Sequence, residues 1–538
     1  MNRILATALA VYATLSTGQS VSLAAQAAPI SAPGVSASTG AEQCAALAGT
    51  RIGSATIEAT EWVERGSSLL SLKHRILFSL ALKRVSLGMD APVDFCHVTA
   101  KLRPVPGSEI TAGVWLPKPW NGKLLGIGGG GFSGGLTVGS LLLKDPLAQG
   151  FAGVATDAGH EDTASAKFAY DSAEKFKDYG YRANHVGAEF AKALIASYYS
   201  SPVKRSYFHG CSNGGRDALM LALRFPEDYD GIISGAPAAA FTEIMTSFIW
   251  NREAVAAAPK LKDKLQLVQD AVMAKCDALD GVKDQVLENP LQCSFDPVEL
   301  QCKDGDGPNC LNAAEVGTLR KIYGGPRLSD GTQIFPGQPV GGEALPKNWE
   351  DWIIDDKPGQ MGPEAYRWMV YRNPEWDSKS FDLSRDHRLA MQRMAPIVNS
   401  NDPDLSAFMK RGGKLMLYHG WNDAAIPAGA TLDYHTALRK TLGPVADQQV
   451  RLFMVPGMMH CGGGSGATYF EKLEAMERWM ESGTAPERII ATEYDPPASL
   501  IVLPDSKKVR TRPLCAWPKT AHYSGKGSSD DAANFSCQ

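Results

Sequence analysis

The sequence lacks several features that identify a class of protein directly. Its 54 basic and 58 acidic side chains give a formal net charge of −4, so no basic excess indicates binding to nucleic acid or to an anionic membrane. After the first 30 residues it has no apolar run of about 20 residues, so the mature chain should not span a bilayer. It has no paired CxxC motif for zinc, no phosphate-binding loop ending in Lys-Ser or Lys-Thr, and no GxGxxG with an acidic partner. We therefore expect no organic cofactor.

The composition is that of a large globular protein. Hydrophobic residues make up 44% and charged residues 21% of the 538 positions. That length predicts roughly two to four domains, or one large domain with an insertion.

The N-terminus has the pattern of a secretory signal peptide. Arg3 precedes a mostly apolar stretch from Ile4 to Leu15, and Ala25-Gln26-Ala27 fits a cleavage site. We predict that residues 1–27 are removed and that the mature chain is secreted or periplasmic. The alternative interpretation is a core helix or a short anchor.

All ten cysteines lie in the mature part of the chain. In an oxidising compartment an even number favours disulfide bonds over metal ligands. The connectivity is formally open, but the spacing favours four pairs and leaves a fifth. These pairs are Cys44–Cys96, Cys276–Cys293, Cys302–Cys310 and Cys515–Cys537, with Cys211 and Cys461 remaining.

Short apolar runs alternate with a helical pattern, which predicts an α/β fold with a mostly parallel sheet flanked by helices. The predicted helix lies between Tyr181 and Tyr199. The predicted strands are 123–127, 150–155, 205–209, 414–418 and 451–455.

A long segment between these runs has a different character. Residues 238–404 contain four closely spaced cysteines, several tryptophans and many Asp, Gly and Pro residues, with little strand alternation. We interpret this segment as an inserted lid domain, which leaves a catalytic domain formed by residues 44–237 and 405–538.

The strongest local motif is Gly210-Cys211-Ser212-Asn213-Gly214, placed between a predicted strand and an apolar helical pattern over 217–224. Its G-x-S-x-G core is typical of a nucleophile elbow, a tight turn in which small residues flank an exposed serine. The alternative is a glycine-rich turn with an incidental serine.

A nucleophilic serine needs a base and an acid that orients the base. Asp423 and His460 each follow a predicted strand, in the order Ser, Asp, His that this fold class uses. Taken singly, each could be an ordinary loop residue. Cys211 precedes Ser212 and Cys461 follows His460, so a bond between the two cysteines would hold nucleophile and base together.

The run Gly128-Gly129-Gly130-Gly131 follows another predicted strand. It fits a loop that stabilises an oxyanion through backbone N–H groups. We expect the donors to be Gly130 or Gly131, together with Asn213.

An acidic stretch begins after Cys276 and contains Asp277, Asp280 and Asp284. Closely spaced carboxylates with backbone carbonyls suit calcium, although the EF-hand spacing is absent. The alternative is a solvated acidic turn.

Taken together, these motifs resemble those of the tannase and feruloyl esterase family, which includes mono(2-hydroxyethyl) terephthalate hydrolase. The resemblance covers most of residues 44–537 and is carried by the runs 210–216, 276–281, 419–423 and 459–461. It implies an α/β-hydrolase fold with a large lid, the triad Ser212, Asp423 and His460, a Cys211–Cys461 bond and the four other disulfides. It also implies a structural calcium ion held by Asp277, Asp280, Asp284 and the carbonyls of Val282 and Val286.

The resemblance further implies a serine hydrolase that cleaves esters of aromatic acids through an acyl-enzyme. We expect feruloyl or chlorogenate esters, with gallate and terephthalate esters as alternatives. Aromatic stacking candidates in the lid are Trp352, Trp368 and Tyr371, and Arg367 could meet a carboxylate or phenolate. The alternative for these four is a role in the lid's own core. Rival functions are a serine peptidase and a binding protein that kept the fold without catalysis.

Overall fold

A computed structural model describes residues 39–69, 89–161, 165–303, 305–355, 360–496, 501–503 and 505–538. The predicted signal peptide, residues 1–27, lies outside the described residues. Within the described ranges, no helix is both long enough and apolar enough to cross a membrane.

Ten of the fourteen strands in the described ranges form one sheet, in the order β1-β2-β3-β4-β6-β5-β7-β8-β9-β10. β11 with β12, and β13 with β14, form two antiparallel pairs. The strands are β1 Arg51–Ile52, β2 Ala55–Val63, β3 Asp94–Leu102, β4 Ile110–Lys118, β5 Lys123–Ile127, β6 Ala152–Thr156, β7 Arg205–Cys211, β8 Gly231–Gly235, β9 Lys414–Gly420, β10 Val450–Val455, β11 Arg488–Asp495, β12 Lys507–Cys515, β13 Ala521–Tyr523 and β14 Phe535–Cys537.

The large sheet is mixed. From β6 to β10 all neighbours run parallel, whereas β1 to β4 are antiparallel and β4 joins β6 antiparallel. The predicted α/β class is therefore confirmed, and the five predicted strands correspond to β5, β6, β7, β9 and β10. The antiparallel part was not predicted.

Helices in the described ranges flank this sheet and fill the insertion. The α-helices are α1 Gly40–Ala45, α2 Leu136–Leu142, α3 Lys144–Ala148, α4 Phe168–Asp171, α5 Ala173–Lys177, α6 Ala183–Tyr199, α7 Asn213–Arg224, α8 Phe241–Ala256, α9 Leu265–Cys276, α10 Ala313–Gly324, α11 Met361–Ala365, α12 Leu383–Arg393, α13 Ala395–Val398, α14 Ser406–Lys410, α15 Gly429–Leu442, α16 Pro444–Gln449 and α17 Lys472–Ser482. Short π-helical segments are Asp178–Arg182, Glu350–Ile354 and Tyr366–Tyr371, and 3-10 helices are Pro259–Lys264, Asp277–Asp280, Pro290–Gln292, Pro297–Leu300, Ser378–Ser380 and Ala532–Asn534.

The parallel strands are buried on both faces because successive side chains point to opposite sides. On one face Tyr207 and Met416 pack with Trp479 of α17. On the other face Phe208 and Leu415 pack in a cluster that includes residues of α7 and α15. This double burial fixes the register of the strands whose carboxyl ends carry the candidate site.

Between β8 and β9 the chain makes an excursion from residue 236 to residue 413. The described part of this excursion, called the insert below, contains helices and turns and no named strand of a sheet. Leu405 and Phe408, near its end, already pack into the core of the sheet. The division at 238–404 into a separate lid domain stays a prediction.

Candidate active site

The turn from β7 into α7 has the geometry that a nucleophile elbow requires. Ser212 has φ 64° and ψ −126°, a backbone conformation that residues other than glycine rarely adopt. A Cβ atom at Gly210 would lie 2.2 Å from the Gly214 carbonyl oxygen, and one at Gly214 would lie 2.7 Å from the carbonyl oxygen of Gly129. Small residues on either side of Ser212 are therefore needed for this tight turn and for its contact with the glycine loop.

Three side chains that are distant in sequence meet beside this turn. His460 Nε2 lies 2.9 Å from Ser212 Oγ, and His460 Nδ1 lies 2.8 Å from Asp423 Oδ2. Ser212 follows β7, Asp423 follows β9 and His460 follows β10, so the parallel strands deliver all three loops to one edge of the sheet. The line of hydrogen bonds suits transfer of a proton from the hydroxyl to the imidazole.

Asp423 is fully buried, and both of its oxygens have hydrogen-bond partners. Oδ1 accepts the N–H groups of Ala425 and Ile426 at 2.9 Å each. Oδ2 faces His460 and also lies 3.3 Å from His419 Nε2. Burial alone would raise the pKa of Asp423, but the charge of His460 and the hydrogen bonds from the two histidines outweigh it and hold the pKa well below its usual range. The carboxylate is therefore ionised at any ordinary pH.

Covalent bonds fix the relative positions of these loops. The four pairs favoured by spacing and the remaining pair, Cys211–Cys461, which the resemblance also implies, are the five disulfides of the structure. Cys211–Cys461 joins residues 250 positions apart, and its Cα atoms are 5.9 Å from each other. Since the bonded residues adjoin Ser212 and His460, the elbow and the histidine loop cannot separate without breaking this bond.

The glycine loop lies against the elbow, and most of its N–H groups are engaged. Gly128 N–H donates to the His209 carbonyl at 3.0 Å, Gly129 N–H donates to Asp217 Oδ2 at 3.1 Å, and Gly130 N–H donates to the Ser133 carbonyl at 3.2 Å. Among the described residues, Gly131 N–H has no partner. Of the two predicted loop donors, the geometry thus leaves Gly131 available and engages Gly130.

Asn213 provides the second predicted donor. It is the first residue of α7, where backbone N–H groups have no partner within the helix. Its N–H and that of Gly131 are therefore the two candidates to receive an oxyanion next to Ser212.

Of the four aromatic and basic candidates in the insert, Trp352 lies at the triad. Its ring is 5.1 Å from the His460 ring, in an edge-on orientation, and 6.3 Å from the Phe248 ring. Trp352 therefore forms part of the wall around the base.

The other three candidates bond within or beside the insert. Arg367 pairs with Glu364 at 3.1 Å, and Trp368 Nε1 donates to the same carboxylate at 2.9 Å. Tyr371 donates its hydroxyl to Asp386 at 2.5 Å. These contacts match the alternative interpretation, in which the side chains stabilise the insert itself.

The predicted calcium ligands share one turn of the insert. Asp284 Oδ2 pairs with Arg510 at 2.6 Å and Arg512 at 2.8 Å, whereas its Oδ1 is buried without a hydrogen-bond partner. Burial, with a smaller contribution from Asp284 and Asp277, raises the pKa of Asp280 to about 6. The turn thus contains one buried carboxylate oxygen without a partner and a carboxyl group whose ionisation burial disfavours.

Val282 and Val286, whose carbonyls complete the predicted set, are buried in the same turn. Across the described ranges, no three His, Cys, Asp or Glu side chains already converge in a metal-binding cluster. The predicted set combines three carboxylates with two carbonyls, and calcium stays a prediction.

Two buried side chains at the site were not predicted from the sequence. His419 contacts Asp423, and its Nδ1 lies 2.7 Å from Thr431 Oγ1. Tyr179 donates its hydroxyl toward the glycine loop. His419 stands four residues before Asp423, a spacing that could have drawn attention, whereas Tyr179 carries no local motif.

The chain is similar to known proteins over most of its length. A family model described as "Tannase and feruloyl esterase" matches residues 96–538. An "uncharacterized esterase" of Xanthomonas campestris pv. campestris is 35% identical over 499 residues, which are 84% of this chain and 85% of that protein. A mono(2-hydroxyethyl) terephthalate hydrolase of Piscinibacter sakaiensis is 30% identical over 498 residues, 80% of this chain and 81% of that protein. The solved structure of feruloyl esterase B from Aspergillus oryzae matches with a TM-score of 0.81 and 26% identity, covering 93% of this chain and all of that one.

Proposed function

Since this chain belongs to the tannase and feruloyl esterase family and is a carboxylic ester hydrolase, we propose that it is a serine esterase for esters of aromatic acids. The observation that carries the serine mechanism is the line of hydrogen bonds from Ser212 through His460 to Asp423. The ester of a hydroxycinnamic acid, such as a feruloyl or chlorogenate ester, is the proposed substrate.

Ser212 attacks the ester carbonyl while His460 Nε2 accepts the serine proton. Asp423 holds the other ring nitrogen, which fixes the tautomer and stabilises the imidazolium as it forms. The N–H groups of Gly131 and Asn213 bind the oxyanion of the tetrahedral intermediate, and each such donor is typically worth about 10²–10³ in rate.

His460 then gives its proton to the leaving alcohol, and the acyl group remains on Ser212. Water enters, His460 removes a proton from it, and a second tetrahedral intermediate collapses to release the acid. No redox step or group other than water is needed.

Support for an aromatic acid comes from the insert. Trp352 stands edge-on to His460 with Phe248 beside it, so a planar acyl group could pack against aromatic rings near the nucleophile. The relatives named for feruloyl and terephthalate esters act on acids with such a ring. Gallate and terephthalate esters remain the alternative substrates.

The test is a hydrolysis screen with the Ser212→Ala variant as the reference. The parent chain should cleave methyl ferulate or chlorogenate faster than methyl gallate, mono(2-hydroxyethyl) terephthalate and a panel of peptides. The variant should lose at least about 10³-fold in kcat on each ester. Parental activity in the variant would refute the serine mechanism, and preference for another ester would reassign the substrate.

A fluorophosphonate probe separates the esterase from a non-catalytic binding protein on the same fold. The probe should label Ser212 in the folded chain and not after denaturation. Absence of an adduct in the folded chain would favour the binding protein.

We also propose that calcium binds in the insert with a structural role, held by Asp277, Asp280 and Asp284 and the carbonyls of Val282 and Val286. The buried, unpartnered Asp284 Oδ1 and the raised pKa of Asp280 support a cation there.

Calcium at 100 times its Kd should stabilise the fold by about 2.7 kcal/mol, and a chelator should remove this stabilisation. Asp280→Asn should abolish the calcium-dependent change in Tm and Asp330→Asn, an exposed carboxylate of the insert, should not. An unchanged Tm on chelation would refute the site.

We propose that the chain is exported from the cytoplasm and is secreted or periplasmic. Five disulfides among ten cysteines support an oxidising compartment. The predicted cleavage after Ala27 can be checked by N-terminal mass spectrometry of the exported chain.

A further inference from the structure

A network of buried polar side chains lies beneath the nucleophile elbow. Arg216, in the first turn of α7, is fully buried. Its Nε donates to Asn213 Oδ1 at 2.6 Å, and one terminal nitrogen donates to Asp217 Oδ1 at 2.7 Å and to the Tyr179 carbonyl at 2.9 Å. The other terminal nitrogen donates to the Gly180 carbonyl at 2.7 Å. The buried charge is thus paired with Asp217, and its donors tie the elbow to the segment that carries Tyr179.

The same network reaches the glycine loop at two points. Asp217 Oδ2 accepts the N–H of Gly129 at 3.1 Å. The Tyr179 hydroxyl lies 2.9 Å from the Gly131 carbonyl oxygen and 3.0 Å from Asn213 Oδ1. The loop and the elbow, each of which supplies one candidate oxyanion donor, are therefore joined through buried side chains.

The single proton of the Tyr179 hydroxyl has two acceptors within reach. Asn213 Oδ1 already receives the short bond from Arg216, whereas the Gly131 carbonyl has no other donor among the described residues. Burial raises the pKa of Tyr179 further above neutrality, so the hydroxyl keeps its proton. Because the Gly131 carbonyl has no other donor, the Tyr179 hydroxyl donates to it, and Asn213 Oδ1 is the alternative acceptor.

We propose that Tyr179 is a positioning residue for ester hydrolysis: its hydroxyl donates to the Gly131 carbonyl and so holds the Gly131 peptide at a fixed place beside Asn213, which sets the distance between their two N–H groups. Gly131 has φ 59° and stands at the tip of a turn closed by Gly130 and Ser133. A glycine there has wide conformational freedom, so an external bond to its carbonyl is needed to fix the direction of the neighbouring peptide groups. This inference rests on the proposed function of the two N–H groups.

Tyr179→Phe removes the hydroxyl and keeps the ring, which packs against Phe132 and Phe241 and lies 4.8 Å from the Arg216 guanidinium. We expect kcat for methyl ferulate to fall about tenfold, less than the loss of a whole oxyanion donor, because the donor is misplaced and not deleted. KM should stay within twofold, since the ground-state ester does not need the oxyanion hole.

Tyr199→Phe is the matched control. Its hydroxyl donates to the Pro117 carbonyl at 2.6 Å, and its ring stacks on Trp120, away from the triad. The two variants lose the same type of bond, so a general effect on stability should appear in both. The kinetic effect should appear in Tyr179→Phe alone.

Affinity for an aryl boronic acid, which forms a tetrahedral adduct with the serine, gives a readout that a purely structural role would not move. Tyr179→Phe should weaken the boronate about tenfold and leave binding of the product acid unchanged. Equal kcat in Tyr179→Phe and the parent, or equal losses in both tyrosine variants, would overturn the proposal. If Ser212→Ala is inactive while Tyr179→Phe is fully active, the positioning role fails and the esterase mechanism stands.

Discussion

Buried carboxylates have different partners in the loops of the candidate active site, at the edge of the sheet, and in the insert at residues 236–413. Asp423 accepts two backbone N–H groups on one oxygen and faces two histidines with the other, and its pKa is held low. In the insert, Asp284 keeps a buried oxygen without a partner and the pKa of Asp280 is raised to about 6. The carboxylate of the first site has a partner for each oxygen, whereas the second keeps one buried oxygen without a partner, the position that the proposed calcium ion would use.

The two regions also differ in what fixes them. Strands that are buried on both faces place the ends of β7, β9 and β10, and one disulfide ties two of the loops that follow. The insert has no sheet of its own among its described residues and relies on helices and two short disulfide loops. Precise chemistry is therefore expected from the sheet, and adjustable contact with substrate from the insert.

The largest expected difference concerns one buried carboxylate in each region. Asp423→Asn should lower kcat about 10⁴-fold, because an amide cannot stabilise the imidazolium or hold the correct tautomer of His460. Asp386→Asn, in the insert, removes the charge of an equally buried carboxylate and replaces one of its two acceptor oxygens, which bind Tyr371, Arg385 and the Asp382 N–H, by a donor; it should lower Tm with kcat within about threefold. Steady-state kinetics and thermal melts on both variants measure this. Similar losses of kcat would mean that the catalytic role is not confined to the sheet edge.

The second difference concerns disulfides. In the loop-closure model, the Cys211–Cys461 bond, with a separation of 250, stabilises by about 5 kcal/mol, and the Cys302–Cys310 bond of the insert, with a separation of 8, by about 2.5 kcal/mol. Replacing each pair by serines should lower the urea midpoint in that order. Only replacement of the Cys211–Cys461 pair should also reduce kcat, since these two residues adjoin Ser212 and His460. Full kcat without the first bond would show that the strands alone position the loops.

The third difference is in the response to pH. Burial, followed by the charges of Arg439 and Arg451, lowers the pKa of His435 on α15 to about 4. Unfolding lets this histidine take up a proton below about pH 6.5, so the stability it contributes is present above that pH and is lost as the pH falls toward 4. Carboxylates of the insert with raised pKa act in the opposite direction, because the folded chain holds their protons more tightly.

His435→Gln should therefore flatten the loss of stability between pH 6.5 and 4, by about 3 kcal/mol at most. His185→Gln is the control of opposite sign. Burial alone would lower the pKa of His185, but its bond to Asp228 outweighs burial and raises it, so this variant should lose stability in acid. Urea unfolding at several pH values measures both slopes. Unchanged slopes in both variants would show that other groups control the acid sensitivity.

The sequence predicted the sheet edge better than the insert for a physical reason. Ser212, Asp423 and His460 each follow a buried strand, so local apolar patterns and chain order were enough to bring them together. The antiparallel strands β1 to β4 were missed although β1–β2 and β3–β4 pair across short turns. β2 and β3 are partly exposed and mix polar with apolar residues, so they lack the short continuous apolar runs of the buried parallel strands. Trp352 could not be distinguished from Trp368 by its own neighbours in sequence, since only the tertiary fold decides which ring faces the base.

Tyr179 shows the same limit at closer range. It lies in a short π-helical segment and contacts the glycine loop and the elbow across 48 and 34 positions of the chain. Its proposed role depends on a hydroxyl that lies between two acceptors, Gly131 and Asn213, far from Tyr179 in the sequence. Motifs identify groups that react, whereas the groups that hold them in place are recognised from the fold.

The smallest expected difference concerns Trp352, the side chain by which the insert reaches the triad. Trp352→Ala should lower kcat/KM for methyl ferulate about 30-fold, corresponding to about 2 kcal/mol for a lost aromatic contact, and change that for 4-nitrophenyl acetate by less than threefold. Trp368→Ala is the matched control. The Trp368 ring packs on Tyr170, outside the insert, and its Nε1 donates to Glu364, inside the insert. The effect of this variant should be equal on both esters. If Trp352→Ala also affects both esters equally, the ring supports His460 and the insert does not select the acyl group.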